Sequence, residues 1–131
     1  MRFAKPVAAV TVAAALAGCG TNTVQQVRAK VQQFAAATAA HDYRTICQDV
    51  LAPALLADMV RGGIGCEQAM RIALAGVHSP NLAIGNVTVS GDRASVLTIS
   101  QARGQKSVLT SLRLVNTSSG WRISGLGSPV G

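Results

Sequence analysis

Three thiols, five carboxylates, two imidazoles and one phenol are the groups in this 131-residue chain that can ligate metal, move protons or attack a substrate. The thiols, Cys19, Cys47 and Cys66, stand far apart, with no CxxC pair among them. A tetrahedral metal site needs four ligands at short paired spacings, and no histidine cluster completes one. Dithiol redox catalysis also rests on CxxC. The carboxylates have plainer explanations. Asp42 suits a helix cap, Glu67 the first turn of a helix, and Asp92 a hairpin turn. Asp49 and Asp58 fall on exposed helical faces, and residues 93–131 contain no acid at all. His41 and His78 sit at segment boundaries, where surface or capping roles prevail. No GxSxG nucleophile setting occurs, and "RGGIGC" lacks the strand, helix and lysine of a phosphate loop. No catalytic residue, cofactor site or metal site is expected.

The amino-terminal residues point to attachment rather than catalysis. Arg2 and Lys5 give a basic start, and Pro6 to Leu16 an apolar run of roughly a dozen residues, the layout of an export signal. A spanning helix needs about 20 apolar residues, so the run is too short to cross a bilayer. Leu16-Ala17-Gly18-Cys19 resembles the lipobox of bacterial lipoproteins. That resemblance implies cleavage before Cys19, a lipidated Cys19 thiol and an acylated new amino terminus, typically carrying palmitate. Several acyl chains hold a protein on a bilayer durably where one does not. Residues 1–18 are then a signal peptide, 19–23 the lipidated cysteine with a short tether, and 24–131 the folded domain. The expected address is the outer face of the cytoplasmic membrane, or the outer membrane in a diderm.

With Cys19 taken by lipid, Cys47 and Cys66 are the one remaining pair, facing an oxidising exterior. Closing the 18-residue loop between them stabilises by roughly 3 kcal/mol in the chain-entropy model. A structural disulfide is expected.

The elements that must position these residues come in two textures. Thr23 with Gln26 reads as a capping box. Val24, Val27, Val31 and Phe34 then follow at helical spacing to about Ala40. Arg28 and Lys30 on this helix are placed to touch headgroups or solvent. Asp42 caps a second segment whose Tyr43, Ile46, Cys47, Val50 and Leu51 share one face. Pro53 restarts the helix through Leu55, Leu56, Met59 and Val60, and "GGIG" ends it. A third helix carries Cys66, Ala69, Met70, Ala73 and Val77 on one stripe. After "HSPN" the pattern alternates: Val87 and Val89, residues 93–102, Val108 to Leu114 and "WRISGL", separated by "SGDR", "RGQK" and "NTSSG" turns. Helices followed by an antiparallel meander of about four strands is an α+β pattern.

The order of the helix, "AAHDYRTIC", "GCEQAM", "VTVSGDRASV" and "GWRI" resembles exported bacterial lipoproteins with a nuclear transport factor 2-like fold. The resemblance implies a cone in which a curved sheet wraps the first helix. That superfamily includes ketosteroid isomerases, polyketide cyclases and non-catalytic binding domains. The isomerase type uses a carboxylate base and a Tyr or protonated Asp donor in an apolar pocket, and this chain has few candidates beyond Tyr43. A non-catalytic role, binding a small apolar ligand or an envelope partner, is the expectation; an isomerase or cyclase is the alternative. His41 departs from the pattern, since those lipoproteins often carry Gly before the Asp, and a positive φ is harder for His. Trp121 reads as a core or cone-rim aromatic.

Charge is unevenly spread. The formal net charge is +7. Residues 20–92 balance five cations against five acids, whereas Arg93, Arg103, Lys106, Arg113 and Arg122 face none. Edge protection of the sheet explains this blandly; an anionic envelope partner explains it more sharply. Nucleic acid is not expected, because aromatic stacking platforms are missing.

Overall fold

The computed structural model describes residues 19–127, with side chains from residue 22 onward. The signal expected over residues 1–18 lies outside the described residues. Among those described, no helix is long and apolar enough to cross a membrane.

Helix α1 spans Cys19–Ala39. It starts a turn earlier than the capping box predicts, because extending an established helix costs far less than nucleating one. Val27 and Val31 on its inner stripe are wholly buried. The helix ends in a Schellman motif: His41 N–H donates to Thr38 O at 3.2 Å and Asp42 N–H to Ala37 O at 2.8 Å. His41 takes the left-handed position at φ 53°, where glycine is the usual occupant.

Helix α2 (Tyr43–Thr45) is capped by Asp42 and passes directly into a π-helical turn, Ile46–Val50. The wider turn, closed by Leu51 N–H to Ile46 O at 2.9 Å, buries Ile46, Cys47 and Val50 together. Helices α3 (Pro53–Arg61) and α4 (Cys66–Ala73) follow. α3 is a flanking helix, so Val60, expected inward, is 67% exposed. α4 stops at Ala73 rather than near Val77. Leu74 and Val77 instead pack inward from the turns after it, and Ala73 is exposed.

Four strands, β1 (Asn81–Ser90), β2 (Arg93–Gln101), β3 (Val108–Thr117) and β4 (Gly120–Gly125), pair antiparallel in chain order. Their inner face presents Ala94, Val96, Leu112, Leu114, Trp121 and Ile123, all buried against α1 and the π turn. β1 begins well before Val87 because a bulge between Ile84 and Val87 shifts the register. Leu82 and Ile84 face inward before the bulge, and Val87 and Val89 after it, so the alternation changes parity. Gly85 occupies the bulge, where a Cβ would lie 3.3 Å from Leu97 O. Leu51 bridges Ile123 in parallel, and Ala52 N–H donates to Ile123 O at 2.8 Å, which closes part of the β4 edge.

Candidate functional site

Cys47 on the π turn and Cys66 at the start of α4 are joined by a disulfide, with Cα atoms 5.9 Å apart. The bond ties α4 to the core through the buried side of Cys47. Cys19 is the first residue of α1, and its side chain lies outside the described ones.

Tyr43, the single phenol, is half-buried and contacted by neighbouring side chains. His41 Nδ1 lies 3.2 Å from its hydroxyl, and the Arg71 guanidinium sits 5.5 Å above its ring. Asp42 is spent on its cap: Thr45 donates its backbone N–H at 3.1 Å and its hydroxyl at 2.7 Å. The Thr45 hydroxyl, then its N–H, hold the Asp42 carboxyl below the usual carboxylate range. Asp58 pairs with Arg61 at the surface. Neither Asp49 nor Asp58 is buried. The carboxylates and the phenol therefore do not converge on a reacting position.

A cavity of about 220 Å³ lies elsewhere, at the mouth of the cone, where the end of α1 meets the turns after α4 and the sheet. Phe34 and Thr38 reach it from α1, one helical turn apart; Leu74 and Val77 close it from the turns after α4, and Leu82 and Val108 from the sheet. Thr38 Oγ1 is buried there without a hydrogen-bond partner. Such a group costs about 1–3 kcal/mol unless something pairs with it. Lys106 is the one ionisable side chain in the lining, which contains no carboxylate, imidazole or thiol. Three bonds hold the two sides of the mouth together. Arg103 N–H donates to His78 O at 2.8 Å, the Arg103 guanidinium to Ser79 Oγ at 3.1 Å, and Gln105 Nε2 to Gly76 O at 3.0 Å. Trp121, only 4% exposed, is a core residue and does not line the mouth.

The basic residues divide by use. Arg28 donates to Gly85 O at 3.4 Å, and Lys30 to Asp49 O at 2.9 Å and Gln33 Oε1 at 2.7 Å. These two are therefore occupied by neighbouring groups of the chain. Arg122 donates to Gln48 O at 2.7 Å. Lys30 and Arg122 thus satisfy two carbonyls at the end of the π turn, as cations do at helix C-termini. Burial pushes the Lys30 pKa down, and Arg122 adds to that effect while Asp49 opposes it. Arg93 and Arg113 lie on the central strands β2 and β3. Edge protection therefore does not account for them.

Neither a protein-family model nor a curated protein matches the chain. Solved structures do. One is a candidate dehydratase from the nuclear transport factor 2-like family of Streptomyces avermitilis, 21% identical, with 84% of this chain and 97% of that one covered at a TM-score of 0.57. Another is a nuclear transport factor 2-like protein of unknown function from Silicibacter pomeroyi, 16% identical, with 79% and 92% covered at 0.58. At these coverages and scores the chain, with its helices followed by a four-stranded antiparallel meander, has the nuclear transport factor 2-like α+β fold.

Proposed function

We propose that this protein is a lipid-anchored extracytoplasmic binding protein that holds a small, largely apolar molecule at the cone mouth without transforming it. The observation that carries the reading is the lining of that cavity. Phe34, Leu74, Val77, Leu82 and Val108 offer apolar surface, and the buried Thr38 hydroxyl offers one unpaired polar group. A few fixed polar groups in an apolar hollow are the usual composition of a ligand site. At about 220 Å³, the hollow is smaller than the roughly 300–1,000 Å³ of sites for drug-sized ligands. The ligand is accordingly a small molecule or the end of a chain. Lys106 at the rim favours a polar or anionic end facing outward.

An isomerase or cyclase would need a carboxylate or phenol aimed into the same cavity, and Tyr43 and Asp42 are committed elsewhere. The lipid anchor rests on the Leu16 to Cys19 tetrapeptide. Fractionation tests it: Cys19→Ser should release the protein from membranes, and a variant that stays bound would refute the anchor. Octanoate binding tests the site. With 8-hydroxyoctanoate, whose carboxylate faces Lys106 while its hydroxyl enters the hollow, Thr38→Val keeps the shape and removes the partner hydroxyl, so affinity should fall roughly 2- to 13-fold, the worth of one hydrogen bond. Unchanged 8-hydroxyoctanoate affinity would show that Thr38 does not face the ligand.

A further inference from the structure

On the face of the sheet turned away from α1, side chains of all four strands and Ala54 of α3 surround a hollow of about 600 Å³. Its polar lining comes from Arg93 and Ser95 on β2, Ser111 and Arg113 on β3, Thr88 and Ser90 on β1 and Ser124 on β4. We propose that this hollow binds a phosphate-bearing polyol, with the phosphate between Arg93 and Arg113 and the polyol hydroxyls against the serines. The proposal does not depend on the cone mouth.

The two arginines belong to one site. Ser95 pairs with Arg113 and Arg93 with Val115, so the arginines are diagonal neighbours on one face. Diagonal neighbours stand about 7–8 Å apart, within reach of a common anion for two long side chains. Neither charge is neutralised. Arg93 has a single loose contact, 3.9 Å to Asp92, with both side chains 73% exposed; such pairs contribute little. The Arg113 guanidinium has no hydrogen-bond or ion-pair partner among the described residues. It lies flat across Gly125, where a Cβ would stand 2.9 Å from both Nε and Nη2. A glycine thus makes room for a cation that satisfies nothing in the fold, and a second cation lines the same hollow.

The surroundings select the ligand. Guanidinium forks match phosphate geometry through paired, charge-assisted hydrogen bonds. Ser95 and Ser111, 2.9 Å apart, and Ser124 and Thr88 supply the donors and acceptors that a polyol needs. No aromatic side chain lines the hollow to stack on a sugar ring. β2 and β3 are paired on both sides, so an extended peptide cannot add a strand there. The exposed apolar residues of this face, Ile99 and its cross-strand partner Leu109, lie outside the hollow. A lining of hydroxyls and guanidiniums, with no exposed large apolar side chain to enter hydrocarbon, suits a water-borne chain better than a bilayer.

The test uses the full chain with Cys19→Ser and a glycerol-phosphate oligomer as probe, read by amide chemical shifts and calorimetry. Saturable binding is expected, with shifts centred on Arg93, Ser95, Ser111 and Arg113. Arg113→Gln should weaken it at least tenfold. Gly125→Ala should weaken it several-fold by displacing the guanidinium, and Arg93→Gln provides a second test should Gly125→Ala fold poorly. Arg44→Gln, on the helical side, should leave binding unchanged. Equal binding of inorganic phosphate would remove the polyol from the proposal. Binding of phosphatidylglycerol vesicles but not the oligomer would make the face a bilayer contact, which also overturns it. An equal loss in Arg44→Gln would show diffuse charge attraction rather than a site, and no saturable binding would end the proposal.

Discussion

Two pairs of basic side chains flank the same sheet and have opposite fates. Lys30 and Arg122 are turned onto the last carbonyls of the π turn, donating to Asp49 O and Gln48 O. Arg93 and Arg113 stand over the outer face with no comparable partner. Formal charge is the same in each pair, so charge alone does not separate structural cations from available ones. What separates them is the carbonyl left open where the π turn stops at Leu51 and the chain crosses to β4. A backbone that ends a helix creates acceptors, and the nearest cations are consumed. An interior pair of strands creates none.

The comparison is broken most severely by releasing the covalent tie on the helical side. Replacing Cys47 and Cys66 together by alanine should lower stability to urea by about 2–5 kcal/mol. An unchanged midpoint would mean that α4 is held by its apolar packing alone. The next test sets the two basic pairs against each other. Arg122→Met removes the donor to Gln48 O, a solvent-accessible hydrogen bond, and should cost about 0.5–1.5 kcal/mol. Arg93→Gln should stay within about ±0.5 kcal/mol, as surface changes without structural partners do. Equal losses would abolish the distinction between the pairs. A modest effect of opposite sign is expected at His41. Its φ of 53° costs about 1–2 kcal/mol for a residue with a Cβ, which glycine would relieve at an entropic cost of about 0.5–1 kcal/mol. His41→Gly should therefore stabilise by less than about 1 kcal/mol; destabilisation would show that the Tyr43 contact outweighs the backbone strain.

Much of the scaffold was legible because its signals are local. Val27 and Val31 at helical spacing, Asp42 before Tyr43, and the turns at 90–93, 103–106 and 116–120 each lie within a few residues of the element they define. The cysteine pair was legible by counting. The first half of β1 was not, since the bulge at Gly85 and Asn86 changes the parity of the inward residues. The end of α4 was missed because Val77 continues its apolar spacing while lining the cone mouth from a turn. Phe34 stood on the predicted stripe of α1, whereas Thr38, one turn further on, carried no signal of its own. Nothing local, however, could say that Leu82 and Val108 would meet them across a cavity. The basic excess after residue 92 was visible as a number. Its division among the mouth rim, the π-turn carbonyls and the outer hollow depends on strand order and side-chain direction, which only the fold supplies.

The central claim is that the cone mouth is a binding site. Titrating the Cys19→Ser protein with octanoate while following its amide chemical shifts tests that claim most directly. Saturable shifts confined to the neighbourhood of Phe34, Thr38, Leu82 and Val108, with the outer-face amides of Arg93 and Arg113 unmoved, are the predicted result. Shifts absent from the mouth at saturating octanoate, or spread evenly over the surface, would contradict it.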